Sequence, residues 1–136
     1  MLNPILRQNE IILKANLQEN IEIVGFSNEL GQSLINIVNN AKDALIKKST
    51  NDKKVINITM EKIDGKVLIT IADNGGGIDP DIIDNIFEPY FSTKQDKNGT
   101  GLGLYMSKTI IEEHCHGNIK VSSSAEGTAF EIVLID

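Results

Sequence analysis

A single cysteine, Cys115, is the only thiol in the chain, which excludes an intrachain disulfide and fits a reducing compartment. No run approaches the roughly 20 apolar residues that a membrane span needs, and the first residues lack the pattern of a signal peptide. Low-complexity tracts and internal repeats are absent. Base is in short supply: 13 Lys and Arg face 19 Asp and Glu, for a net charge of -6. That balance favours solubility and argues against a broad nucleic-acid surface, although a pocket's local field can oppose the overall sign for one charged ligand. The expected location is the cytoplasm, with a membrane-bound parent protein still open. What is present is ordinary for a globular protein, with 40% hydrophobic and 24% charged residues in a chain of 136. One domain covering residues 1–136 is the expectation, because a chain of this size buries roughly 68–70% of its unfolded surface without staples.

Hydrophobic periodicity divides the chain. Asn3 to Asn16 reads as a helix, with Pro4 suited to a first turn, and Ile21–Val24 alternates as a short strand. Ser27 or Asn28 can cap a long helix in which Leu30, Leu34, Ile37, Val38, Ala41 and Leu45 form one apolar stripe. Lys54 to Ile63 and Lys66 to Asp73 alternate as strands joined by Asp64-Gly65, a strong signal for a tight hairpin turn. Pro80 opens a short helix to about Ile86, and a polar segment, Ser92 to Asn98, precedes a helix from about Gly103 to Cys115. Asn118 to Ser124 and Thr128 to Leu134 close the chain as strands around Glu126-Gly127. The fold class expected is α+β, a two-layer sandwich with a mixed sheet of about five strands covered on one face by helices.

Three constellations carry chemistry. Asp73-Asn74-Gly75-Gly76-Gly77 ends a strand. A carboxylate there can accept from an exocyclic amine, and glycines let a flat ring approach, which suits an adenine; an ordinary strand-ending loop uses the same residue types. Asn36 and Asn40 lie one helical turn apart and off the apolar stripe, on a face continued by Asp43 and Lys47. Their neutral oxygens suit Mg²⁺ when phosphates supply the negative charge, and they also suit a plain solvated face. Gly99-Thr100-Gly101-Leu102-Gly103-Leu104 immediately precedes a helix, whose free amide groups and dipole favour a phosphate. The P-loop pattern is absent. Lys94 offers a cation from the polar segment. His114, Cys115 and His116 are packed too tightly to face one ion from a regular helix, so a histidine at a helix C-terminus is the expectation there.

In this order, and with Phe87-Glu88-Pro89-Tyr90-Phe91 between the glycine clusters, the residues resemble the ATP-binding catalytic domain of bacterial sensor histidine kinases. That domain belongs to the wider Bergerat-fold family of gyrase-like and chaperone-like ATPases. Leu34 to Ala41 is similar to its asparagine box, Asp73 to Gly77 to its first glycine box, and Phe87 to Phe91 to its phenylalanine box. Gly99 to Leu104 resembles the second glycine box, and Gly127 to Phe130 the closing strand. The resemblance implies ATP and Mg²⁺ as ligands, with Asn40 on the metal and Asn36 supporting it. It implies Asp73 on the adenine amine and Thr128 completing the base's hydrogen bonds. Gly75, Gly77, Ile78, Phe87 and Phe91 would line the pocket, and Thr93, Lys94, Gly99, Thr100, Gly101, Leu102, Gly103 and Leu104 would lie near the phosphates. Asp43 stands where many such kinases have a lysine, and Lys42 is one position early, so Lys94 or Lys47 is expected to supply the phosphate cation.

The activity implied is transfer of the γ-phosphoryl group of ATP to a histidine on a separate helical hairpin, followed downstream by a response regulator. The hairpin's His-Glu-x-x-x-Pro setting does not occur here, so the chain resembles the catalytic domain alone, expected to be monomeric. Rival readings are an ATPase of the same superfamily, an anti-sigma-factor serine kinase, and a module that binds nucleotide only to engage a partner. Hydrolytic relatives place a Glu one turn before the metal asparagine; here Asn36 has no base to take a proton.

Overall fold

The computed structural model describes residues 11–17, 27–47, 53–75, 77–88 and 103–135. Strand β1 is Ile11–Leu17, helix α1 Ser27–Lys47, β2 Lys54–Ile63 and β3 Lys66–Asp73. Helix α2, Gly103–Thr109, continues as a π-helical segment, Ile110–His114, before β4, Asn118–Ser124, and β5, Gly127–Ile135. The strands form one sheet in the order β1-β2-β3-β5-β4; β1 runs parallel to β2 and every other pair is antiparallel.

Alternation decides which face of the sheet is covered. Val67, Ile69 and Ile71 of β3 are buried and stand opposite Leu134, Ile132 and Phe130 of β5. Ile132 in turn stands opposite the buried Ile119 of β4. Against these rows α1 sets its stripe: Leu30, Ile37, Val38, Ala41 and Leu45 are buried, and Leu34 packs against them. Each aliphatic side chain so buried contributes roughly 1.5–3 kcal/mol, which is what holds helix to sheet. The sequence's expectation of a helix-on-sheet α+β sandwich therefore holds, as do α1, β2, β3 and β4 with the boundaries given by their periods.

Asp64 and Gly65 both adopt positive φ, 50° and 77°, as the tight turn between β2 and β3 requires. The second hairpin turns on Ala125-Glu126 rather than Glu126-Gly127, because Ser124 pairs with Gly127 and β5 starts there.

Three expectations are corrected. The helix over Asn3 to Asn16 gives way, in its described part, to β1, whose backbone pairs with β2 from Ile11↔Lys54 to Leu17↔Met60. A short apolar run is ambiguous by period, and an open edge on β2 decides for strand. The helix from Pro80 to Ile86 is reduced to turns and a 3-10 helix, Ile83–Asn85. Its hydrogen bonds span three residues, not four: Ile82 N–H to the Asp79 carbonyl (3.0 Å), Asn85 to Ile82 (2.8 Å) and Glu88 to Asn85 (3.0 Å). The Asp79 carboxylate also captures the Asp81 N–H at 2.9 Å, a local bond that competes with an α-turn. The last helix ends in a π-turn, with Cys115 N–H on the Ile110 carbonyl at 2.9 Å. The strand expected at Ile21–Val24 lies outside the described residues.

Candidate nucleotide site

One residue past the apolar rows, the covered face of the sheet turns polar. Asp73 ends β3 and stands directly opposite Thr128 of β5, which stands opposite Ser123 of β4. By alternation all three continue the face of Ile71, Phe130 and Val121, toward the helices. Thr128 is buried, and its Oγ1 lies 3.5 Å from Ser123 Oγ. Two residues read from separate motifs, Asp73 and Thr128, are thus neighbours across one strand pair.

The glycine loop after Asp73 is folded back onto that row. Asp73 Oδ1 accepts the Gly75 N–H at 2.8 Å. A Cβ at Gly75 would meet that oxygen at 2.8 Å and Ala44 Cβ at 3.3 Å. Gly75 therefore rests on α1 one turn beyond Asn40, which brings the first glycine box beside the asparagine helix. Gly77 has φ +89°, and its α-carbon approaches the Ser124 carbonyl so closely that no side chain fits. Ile78 N–H donates to Ser123 Oγ at 2.5 Å, and the Ile78 side chain packs on the core.

Asn74, absent from the expected site, has a different task. Its Oδ1 accepts the Val55 N–H at 2.9 Å and its Nδ2 donates to the Lys53 carbonyl at 2.6 Å, clamping the start of β2 to the end of β3.

On α1, Asn36 and Asn40 are half-buried on a shared face, and Asn36 Oδ1 accepts from Gln32 Nε2 at 3.2 Å. Lys42 Nζ lies 3.6 Å from Asp43 Oδ1, so this lysine is turned to its neighbour. Lys47 ends the helix. Helix α2 is fastened to α1 by a serine pair: Ser107 Oγ donates within reach of the Ser33 carbonyl (3.2 Å) and the Gly103 carbonyl (3.0 Å). Ser107, one turn into α2 from Gly103, is thereby tied to Ser33, one turn before Asn36. Leu104 packs against the core. Phe87 meets Phe130 edge-on, with ring centroids 6.1 Å apart, and carries Lys108 Nζ 5.3 Å above its own ring. Phe91, Thr93, Lys94, Gly99, Thr100, Gly101 and Leu102 lie outside the described residues.

His114 and His116 have local explanations. His114 Nδ1 lies 2.5 Å from Glu29 Oε2, tying the end of the π-segment to the first turn of α1. His116 adopts φ 55° and leads into Gly117, where a Cβ would stand 2.5 Å from the Val133 carbonyl. Burial, then the Glu29 charge, pushes the Cys115 thiol above its ordinary pKa. An open cleft of about 450 Å³ at this end of the sheet includes Ala72, Ser122 and Ala129 in its lining. Alternation points those three side chains away from the helices, but Asp73, Ser123 and Thr128 line the cleft as well, so it takes in both faces of the strand ends.

The fold and the polar row at the sheet's end define a nucleotide-binding domain of the Bergerat type. Residues 25–136 match the model of the histidine kinase-, DNA gyrase B- and HSP90-like ATPases, and the chain belongs to that family. The sensor histidine kinase ZraS of Salmonella typhi is 39% identical over 133 residues, covering 94% of this chain and 26% of that protein. The two-component sensor PprA of Pseudomonas aeruginosa is 32% identical, covering 98% of this chain and 15% of that protein. The chain thus spans a minor part of these relatives. Among solved structures, the catalytic domain of histidine kinase ThkA superposes with a TM-score of 0.84 at 28% identity, covering 98% of this chain and 84% of that one. ThkA in complex with the response regulator protein TrrA gives a TM-score of 0.77 at 25% identity, covering 98% and 36%.

Proposed function

We propose that residues 1–136 form the catalytic domain of a two-component sensor kinase, which binds Mg-ATP and donates its γ-phosphoryl group to a histidine on a separate helical hairpin. The observation that carries the reading is the Asp73–Thr128 pair at the end of the covered sheet face, with Gly75 pressed against the asparagine helix at Ala44. Asp73 accepts from the adenine amine, Thr128 adds a hydroxyl to the same edge, and Gly77 lets the loop beside that pocket close onto the Ser124 carbonyl. The start of α2 presents its first amide groups to the phosphates. Lys94, Thr93 and the glycines from Gly99 to Gly103 complete that end, with Phe91 and Phe87 flanking the base.

Asn36 and Asn40 fit a magnesium–nucleotide. They offer neutral amide oxygens one turn apart, the donor type this ion takes when phosphates balance its charge. Bound there, magnesium supplies charge neutralisation to the phosphates. The protein's own part is positioning: it holds the base and phosphates so that the acceptor imidazole nitrogen can attack in line. The N–P bond forms as the P–O bond to ADP breaks, and the ring proton leaves to solvent or to a base on the acceptor domain. Asn36 is itself an amide, with its Oδ1 accepting from Gln32 Nε2, and so brings no base to activate water, which favours transfer over hydrolysis.

This reading places the domain in the cytoplasm, as a monomer, working with a hairpin domain of the same kinase and a response regulator. Among the described residues no helix is long and apolar enough to cross a membrane. Calorimetric titration with ADP and a non-hydrolysable ATP analogue, each with and without Mg²⁺, tests the pocket. Transfer of labelled phosphate to a supplied hairpin domain tests the activity. Magnesium-dependent binding of both nucleotides with no transfer to any such hairpin would leave a nucleotide-gated interaction module instead.

A further inference from the structure

Three serines run through the last turn of β4, and alternation separates them. Ser122 and Ser124 are exposed, whereas Ser123 shares the covered face with Ile119 and Val121. Its hydroxyl sits at a junction. It accepts the Ile78 N–H at 2.5 Å, lies 3.5 Å from both Thr128 Oγ1 and the Gly127 carbonyl, and would stand 2.8 Å from a Cβ on Gly77. One side chain therefore touches the loop that follows Asp73 and the hydroxyl opposite Asp73. A serine has a single proton to give. With Ile78 N–H as the donor to Ser123, that proton goes to Gly127 or to Thr128, and the choice sets which lone pairs Thr128 turns to the pocket.

We propose that Ser123 is a positioning residue for recognition of the adenine edge. It fixes the Gly77–Ile78 turn at the height of the β5 strand and orients the Thr128 hydroxyl, so that Thr128 and Asp73 read the base together. The inference rests on the adenine pocket argued above and deepens it. Ser123 itself does not contact the base; it acts through Thr128 and the turn. The consequence is a role in base discrimination, beyond affinity alone.

The test compares ADP with inosine diphosphate, which lacks the exocyclic amine, by calorimetry on the 136-residue chain. Wild type is expected to favour ADP. Ser123→Ala is expected to weaken ADP binding about tenfold, the scale of one buried donor left without an acceptor, while inosine diphosphate binding changes little. The preference ratio then collapses. Ser123→Thr, which keeps the hydroxyl, restores the ratio, and Ser122→Ala on the opposite face leaves it unchanged. If the alanine variant does not fold, Ser123→Cys reads the same ratio, since a thiol is near in size but a weak acceptor. An equal loss for both nucleotides, or an unchanged ratio in Ser123→Ala or Ser123→Cys, overturns the Ser123 assignment and leaves the adenine pocket standing. No preference for ADP in wild type overturns both.

Discussion

Replacing Gly77 with alanine tests the construction of the site, because three separate costs meet at that position. The backbone has φ +89°, in the region that side-chain-bearing residues avoid, at about 1–2 kcal/mol. The new methyl group would also run into the Ser124 carbonyl, and a backbone atom cannot rotate away as a side chain can. Forcing carbon into a filled space costs about 1–3 kcal/mol. Relief by shifting the turn would break the Ile78-to-Ser123 hydrogen bond, at about 1 kcal/mol net. The expected loss is about 3–6 kcal/mol, a large share of the roughly 5–15 kcal/mol that stabilises a domain. Urea unfolding reads it directly: with a slope of about 2 kcal/mol per molar, the midpoint falls by about 1.5–3 M.

Two other glycines separate these causes. Gly65 has φ +77° with nothing within 4 Å, so Gly65→Ala carries only the dihedral cost, a midpoint loss of about 0.5–1 M. Gly31 lies inside α1 with nothing within 4 Å of its missing Cβ and no unusual φ. Gly31→Ala is expected to stabilise by about 0.5–1 kcal/mol, because alanine loses less backbone entropy in a helix. The order of midpoints should be Gly31→Ala, wild type, Gly65→Ala, Gly77→Ala. A Gly77→Ala midpoint no lower than that of Gly65→Ala would refute the packing of the glycine loop on the β4–β5 turn.

Asp73→Asn is expected to lower ADP affinity at least tenfold in calorimetry, since an amide replaces the charge-assisted acceptor; unchanged affinity would remove Asp73 from the adenine edge. Asn40→Ala should reduce the magnesium-dependent part of nucleotide affinity and spare the magnesium-free part, whereas equal losses with and without the ion would count against the metal role. Cys115 has its pKa raised, so the neutral thiol is favoured by the fold. Its iodoacetamide alkylation in the native protein should rise with pH only above the range seen in urea. By linkage, its contribution to stability is present below the ordinary thiol pKa and is lost as pH climbs through the raised one. A native alkylation profile coinciding with that in urea would contradict this.

The legible parts of the fold were those in which a local pattern and a local structure coincide. The stripe from Leu30 to Leu45 is an α-period that ends up against the sheet, and Asp64-Gly65 carries its turn in its own dihedral preferences. Strand β1 was not legible, because what makes Ile11–Leu17 extended is pairing with β2, some forty residues on. The segment after Pro80 failed for the opposite reason: a local Asp79 carboxylate bond outweighed the helix-starting signal of the proline. In the candidate site, Asp73 and Thr128 were read from separate motifs, and antiparallel register sets them opposite one another. Asn74 and Ser123 were missed because their partners, Val55 and Ile78, come from other strands and turns. Ser123 did leave a trace, since only the middle serine of three shares parity with Ile119 and Val121.

The position of the site follows from where the core stops. The rows Ile69–Ile132–Ile119 and Ile71–Phe130–Val121 run across the sheet beneath the helices, and the next row along is Asp73–Thr128–Ser123. Polar groups placed one row deeper would lack solvent and ligand access and would cost desolvation without return. One row further out, they would pass beyond the strand ends, where register no longer holds them opposite one another. Among the described residues, the row they occupy is the last one on this face that ladder pairing holds opposite across β3, β5 and β4 at this end of the sheet. Substitutions should divide at that boundary. Ile71→Ala or Phe130→Leu should lower the unfolding midpoint and leave the base preference of the folded fraction unchanged, whereas Thr128→Val should reduce that preference with a smaller effect on stability. A core substitution that altered ADP-over-inosine diphosphate selectivity as strongly as Thr128→Val would mean that recognition is spread through the sheet and is not confined to its last row.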